Sequence, residues 1–300
     1  MSFSSELKEN LSKISNLANK EIVKYELVGY LIGNNTVYKN RKISYSTVNE
    51  YNINRFNKLI SNLNIFDFKI DLKGKIYTIK LDKIDNLDEL EYEDNSVCLS
   101  NKFIEYLKNT NVLKENEDIL IKALIRGMFL GSGSINNPEN KYHLEIILST
   151  LSNAQNIKNI LDKFEIHMKI LNRKNGYSLY LKDADEISKF LAFIGANSAV
   201  LKFEEIRVIR DMKNNINRKV NCETANIKKT VNAAVKQIEA IKKLQKARKF
   251  DKLPENLKEI AILRLENPDA SLIELGKMLK KPLGKSGVNH RLKQIEELGK

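Results

Sequence analysis

The sequence predicts an α+β protein: a duplicated domain of helices and strands over residues 1–210, a basic linker helix over 211–250, and an all-α module over 251–300. Three observations carry that prediction. First, residues 124–135 (LIRGMFLGSGSI) return in degraded form at 26–37 (ELVGYLIGNNTV), at an offset of 98. Second, the two halves of the first 210 residues, about 1–110 and 111–210, run through the same order of elements. Third, the last fifty residues hold three short apolar patterns of helical period, separated by turn signals.

The repeat has a mechanical meaning. At that offset Gly29 falls on Gly127 and Gly33 on Gly131. Glycines at i and i+4 lie on one side of a helix, and without side chains they let a second backbone approach. Two such helices, one per repeat, are expected to pack glycine face to glycine face on a pseudo-two-fold axis.

In the first half, Leu7, Leu11, Ile14 and Leu17 keep helical spacing. The glycine-bearing helix follows from about Lys20 to Gly33. Residues 41–48 alternate as a strand, 52–63 form an amphipathic helix, and 66–70 with 75–81 form a hairpin turning at Gly74. Residues 87–92 are expected to begin another helix, and the acidic run 82–94 reads as a solvated connection. In the second half a helix from about Asp118 ends near Gly131, with residues 131–134 as its C-terminus and tight turn. A strand over 143–148 comes next, then a helix over 152–164 opened by a Ser or Asn cap. A hairpin over Lys174-Asn175-Gly176 joins 168–172 to 177–181, and a helix over 183–194 closes the unit.

Residues 217–244 read as an amphipathic helix. Ile227, Val231, Val235, Ile238 and Ile241 form its apolar stripe, opposite Lys228, Lys229, Lys236, Lys242 and Lys243. A packed connector kept soluble by lysines and a phosphate-facing helix both fit that pattern. Beyond it, Pro254 opens a helix with Leu257, Ile260, Ala261 and Leu265 inward, which Asn267-Pro268 ends. Ser271 and Glu274 make a capping box for a second helix burying Leu272, Leu275 and Leu279. Residues 281–284 (KPLG) break it. A third helix from near Ser286 buries Val288, Leu292, Ile295 and Leu298. Three short helices with a turn between the last two make a helix-turn-helix module. On its outward face, Asn289 suits bidentate pairing with adenine, and Arg291 suits guanine or a phosphate. Ser286 lies in the first turn, the end that enters a major groove. Lys285, His290 and Lys293 are placed for backbone phosphates, with His290 also within reach of a base edge.

The charge distribution agrees. The net charge is +13, yet residues 211–300 alone carry 21 Lys and Arg against 11 Asp and Glu. A C-terminal third that basic points to a polyanion. The chain of 300 residues is 42% hydrophobic and 30% charged, values of a soluble globular protein. No apolar run approaches a membrane span, and the N-terminal MSFSSELKENLSKI has no export pattern, so no membrane partner and a cytoplasmic location are expected. Cys98 and Cys222 read as isolated thiols, and His143 and His167 as imidazoles without a second metal ligand.

With these residues in place the sequence resembles a known family. GMFLGSGS, the order of elements and the duplication resemble the LAGLIDADG homing-endonuclease fold. NPENKYHLEI, NCETAN, KTVNAA and GKSGVNHRLKQIEEL are similar to the WhiA family, bacterial regulators joining a degenerate LAGLIDADG domain to a helix-turn-helix. The resemblance implies a duplicated LAGLIDADG-like αββαββα-type domain. It also implies that Arg218, Lys228 and Lys229 face DNA phosphates, that the third helix is a DNA-recognition element, and a role in sporulation or in cell division and chromosome segregation.

Cleavage is not expected. Phosphodiester hydrolysis on this fold needs acids that hold divalent metal. The acidic positions fall on Asn34 and Ser132, neither of which supplies anionic oxygens. Glu139 and Glu145 are close only in sequence. GSGS lacks the lysine of a phosphate-cradling loop. The reading is therefore a nucleoid-associated, sequence-specific regulator of double-stranded DNA with no enzyme activity, cofactor or metal. It leaves room for a protein partner, another transcription regulator or RNA polymerase. An endonuclease and an RNA-binding, splicing-assisting protein stand as alternatives.

Overall fold

The computed structural model describes residues 2–84, 87–93, 95–109 and 115–300, the side chains of 115–117 excepted. These form two compact units, 1–210 and 211–300.

The first unit is a duplication. Helix α1 (Phe3–Ser12) leads into α2 (Lys20–Leu31), capped by the Asn19 side chain. Strands β1 (Thr36–Lys39) and β2 (Lys42–Thr47) follow, then α3 (Glu50–Asn62) and the hairpin β3 (Phe68–Lys73) and β4 (Ile76–Asp82). A small hairpin, β5 (Leu90–Glu93) and β6 (Ser96–Leu99), and α4 (Asn101–Asn109) complete the first half. The second half holds α5 (Glu115–Ser132), β7 (Gly133–Ile135), β8 (Leu144–Leu148), α6 (Leu151–Lys163), β9 (Lys169–Arg173), β10 (Gly176–Leu181) and α7 (Ala184–Phe193). Both four-stranded sheets are antiparallel, ordered β1-β2-β4-β3 and β7-β8-β10-β9. The identical strand order is the structural form of the repeat read in the sequence.

The glycine helices meet as their spacing predicts. A Cβ on Gly127 would stand 2.0 Å from the Glu26 carbonyl oxygen, and one on Gly29 2.1 Å from that of Leu124. Only backbone fits there. Gly131 and Gly33 are looser: their nearest atoms lie at 3.2 Å in Tyr30 and 2.8 Å in the Ser132 side chain. The halves are also stitched by a bridge between Gly33 and Leu148 and by Asn34 N–H donating to the Ile147 carbonyl at 3.1 Å.

An ion cluster lies beside this crossing, and nothing in the sequence announced it. Glu26, fully buried, accepts from Arg55 (Nε to Oε1, 2.7 Å) and Arg126 (Nε to Oε2, 3.2 Å), both nearly buried themselves. Arg55 also donates to the Ile14 carbonyl at 2.9 Å. Removing one member of such a group leaves uncompensated buried charge, so the three residues hold α2, α3 and α5 in one arrangement.

Several expectations are corrected. Residues 87–92 do not start a helix. Leu90 and Tyr92 alternate in β5 and pair with Leu99 and Val97, because Asn95 at φ 66° turns the chain back. The acidic run is thus no mere connection, and within it Glu89 pairs with Lys24 at 2.6 Å; residues 85, 86 and 94 lie outside the described set. Residues 133–135 are a strand on β8, so α5 ends directly in a sheet. Helix α6 starts at Leu151, one residue earlier than expected, and Thr150 caps it in place of a Ser or Asn. Helix α1 stops at Ser12, so Ile14 and Leu17 pack from a loop.

The chain passes into the second unit inside α8 (Asn197–Lys246), which begins well upstream of the predicted linker helix. Its residues 211–233 are exposed throughout. The expected apolar stripe is therefore split: Ile241 is buried, whereas Ile227, Val231 and Val235 are 64%, 48% and 48% exposed. After a short 3-10 turn come α9 (Glu255–Glu266), α10 (Leu272–Met278) and α11 (Lys285–Leu298). Their core is Leu257, Ile260, Ala261, Leu275, Leu279, Val288, Leu292 and Ile295, joined by Ile241, Leu244 and Leu253. The Ser271–Glu274 capping box is present, whereas Leu298 is exposed. Among the described residues no helix is long and apolar enough to cross a membrane.

Candidate nucleic-acid interface

The second unit presents α11 on a stiff frame. Arg264, 1% exposed, donates from one nitrogen to the carbonyls of Ala270 (2.7 Å) and Pro268 (3.3 Å), fixing the chain between α9 and α10. Gly276 fixes the next turn. Its carbonyl accepts from Leu283 N–H at 3.0 Å, and a Cβ there would meet the Leu283 carbonyl oxygen at 2.1 Å. Neither residue stands out in the sequence. A glycine inside a short helical pattern was the only available signal, and Arg264 reads as an ordinary surface charge.

At 100° per residue, burying Val288, Leu292 and Ile295 turns Ser286, His290 and Lys293 to the far side of α11, where all three are exposed. Gln294 and His290 stand 3.3 Å apart on that side. Lys285 is the first residue of the helix and is exposed. The N-cap is Gly284, so no side-chain acceptor caps the positive end of α11. Asn289 and Arg291 are half-buried and occupy opposite flanks, about 200° apart around the axis. Arg291 leans toward α9 and donates to the Asn256 carbonyl at 3.3 Å. The two residues, expected from sequence on one outward face, thus stand on opposite flanks of the helix.

On α8, Arg218, Lys228 and Lys229 are all exposed. Arg218 and Lys229 are eleven residues apart, within about 20° on the helix, and Lys236 continues the row. This row lies opposite the exposed apolar side of Ile216, Val220 and Ile227.

The positions that would carry nuclease acids are also placed. Ser132, 8% exposed, is the last residue of α5 and donates to the Met128 carbonyl at 3.3 Å. Asn34 follows α2. Glu139 sits in an exposed loop, bonded to Asn137. Glu145 accepts from Ser178 and Arg173, both at 2.9 Å. Burial pushes its carboxyl up, but the Ser178 hydroxyl and the Arg173 guanidinium outweigh this and hold it below the usual carboxylate range. His143 faces Glu145 at 3.6 Å and His167 faces Asp162 at 3.1 Å. Cys98 is buried and Cys222 exposed, both as free thiols. Among the described residues no three His, Cys, Asp or Glu side chains gather where they could hold a metal.

Comparison with known proteins fits this geometry. Residues 216–299 match the family model described as the WhiA C-terminal HTH domain, and residues 121–213 that of the WhiA LAGLIDADG-like domain. The probable cell division protein WhiA of Clostridium acetobutylicum is 40% identical, over 99% of this chain and 97% of its own. The chain belongs to the WhiA family. A WhiA relative from Thermoanaerobacter sp., also called a probable cell division protein, is 39% identical over all of this chain and 98% of its own. The crystal structure of full-length DUF199/WhiA from Thermatoga maritima superposes with a TM-score of 0.57 at 28% identity, covering 100% of this chain and 98% of that one. The WhiA resemblance read from NPENKYHLEI and GKSGVNHRLKQIEEL is therefore borne out, as is the fold class it implied.

Proposed function

We propose that this chain is a sequence-specific regulator of double-stranded DNA, with no nuclease activity, working at the nucleoid in the cytoplasm. The observation that carries the reading is α11: an exposed Ser286, His290 and Lys293 beside an N-terminus without a side-chain cap, on a helix-turn-helix frame. An open helix N-terminus receives a backbone phosphate, and exposed polar side chains in the first turns reach base edges. Asn289 is assigned to base reading. Of the two roles open to Arg291, guanine or a phosphate, it is assigned to the phosphates on the α9 side. Arg218, Lys228 and Lys229 supply further phosphate contacts. Ser and Asn at the family's acid positions favour a binding role over hydrolysis for the duplicated domain. Relatives named for cell division support a target process in division, chromosome segregation or sporulation, with another transcription regulator or RNA polymerase as protein partner.

The test is a selection of duplex fragments by the full chain at physiological salt, with the bound fraction sequenced. An enriched motif that Asn289→Ala alters, at a cost of about 1–3 kcal/mol for the preferred site, supports the reading. Retention without enrichment, tighter binding of structured RNA, or Mg²⁺-dependent strand scission would each overturn it.

A further inference from the structure

Residues 211–233 of α8, in the second unit, are helical and exposed on every side. Their composition does not favour an isolated helix: six are Asn, two Thr and two Val. A helix of this kind draws its stability mainly from an apolar face packed against something.

Such a face is present. Met212, Ile216, Val220, Ile227 and Val231 are 48% to 64% exposed. With Glu223 between them they stand 4, 4, 3, 4 and 4 residues apart. Eleven residues turn only about 20° past three full turns, so the six positions form a nearly straight line along one side of the helix. The row of Arg218, Lys229 and Lys236 lies on the other side. Covering the apolar line therefore leaves those side chains free for phosphates.

The charges on the line specify what covers it. Glu223 is its one carboxylate and sits near its middle, with Lys219 beside it, about 40° around the axis. Among the described residues neither makes an ion pair. A central carboxylate opposes both an acidic partner helix and an anionic lipid surface. A second copy running parallel would set Glu223 against Glu223. A second copy running antiparallel sets Met212 against Val231, Ile216 against Ile227, and Val220 against Glu223. In that register the Glu223 of each copy comes beside the Lys219 of the other, twice by symmetry. Lys213 and Lys228 border the opposite edge, where long stems carry their charges to water. The line runs for about 30 Å, and two such faces together bury on the order of 1,000 Å², where specific interfaces begin.

We propose that residues 212–231 are a homodimer interface, two copies of α8 packed antiparallel on this line and held in register by reciprocal Glu223–Lys219 pairs. The contact puts two helix-turn-helix units in one particle. It does not depend on what those units bind.

The test is sedimentation equilibrium of the full chain without DNA, across the micromolar range. A reversible monomer–dimer equilibrium is expected. Ile216→Asp should abolish the dimer. Glu223→Lys and Lys219→Glu should each raise its dissociation constant about tenfold or more, and the two combined should restore it. A monomer at every concentration overturns the proposal, as does a dimer indifferent to Ile216→Asp or a double variant no better than the singles. Tighter association of Glu223→Gln also overturns it, because that is the response of a parallel pair. The substituted side chains are exposed, so circular dichroism matching the parent checks the fold of each variant. The parent's own concentration dependence decides the existence of the dimer without any variant. With no DNA in the cell, the outcome is independent of the DNA reading.

Discussion

At the scale of single residues, a few positions carry constraints far larger than an average contact. A Cβ on Gly127 falls 2.0 Å from a backbone oxygen, and backbone cannot rotate away. Gly127→Ala should therefore cost about 1–3 kcal/mol or more. Gly33→Ala meets the Ser132 side chain first, with the nearest backbone oxygen, that of Tyr30, at 3.4 Å, and should cost less. Denaturant midpoints at unchanged slope measure both, and equal losses would contradict the close crossing. Lys8 offers a pH test. Burial lowers its pKa from 10.5 to about 8 in the folded chain. Between those values the unfolded chain binds more protons, so stability rises with pH across that window, and the penalty is fully present below about 8. Lys8→Met should be more stable than the parent at pH 7, with the margin narrowing from pH 8 to 10. A margin independent of pH would show that the lysine is not desolvated. Gly276 and Arg264 belong at this scale as well. Their importance is invisible in sequence because each serves a carbonyl that only the folded turn brings near.

At the scale of elements, periodicity located most helices and strands, because burying one face imposes a repeat of 3.6 or 2 residues. It failed where an element is short or has no buried face. β5 has four residues and reads as a helix start, and β7 has three and reads as a glycine-rich turn. Residues 211–233 of α8 fail differently: they are helical yet exposed on every side, so a stripe such as Ile227, Val231 and Val235 does not report a core. Their exposed basic side chains are where a salt test belongs. Lys228→Ala with Lys229→Ala should weaken all duplex sequences alike and reduce the slope of log affinity against log salt by up to about two. An unaltered slope would return the helix to a purely structural role.

At the scale of the whole molecule, the two units keep separate cores, one built on α2 and α5 and one on α9 to α11. Between them run the exposed residues 211–233, with Lys213, Arg218, Lys219, Lys228 and Lys229 open to protease. Limited trypsin digestion should cut there first and release two fragments that each unfold cooperatively. First cuts in the hairpin turns of the duplicated domain, ahead of this stretch, would argue against two independent cores.

The sequence by itself determined the duplication, the pairing of glycine helices, the helix-turn-helix and the place of the charge. Each of these is a pattern along the chain: an offset, a period, a capping box, a count of lysines. Only the folded chain reveals the Glu26–Arg55–Arg126 cluster and the turn-fixing roles of Arg264 and Gly276. The cluster joins residues 29 to 100 positions apart in one buried volume, and the two turns depend on carbonyls that only the folded backbone brings within reach. Desolvation and hydrogen-bond geometry act through space, and no spacing along the chain encodes them.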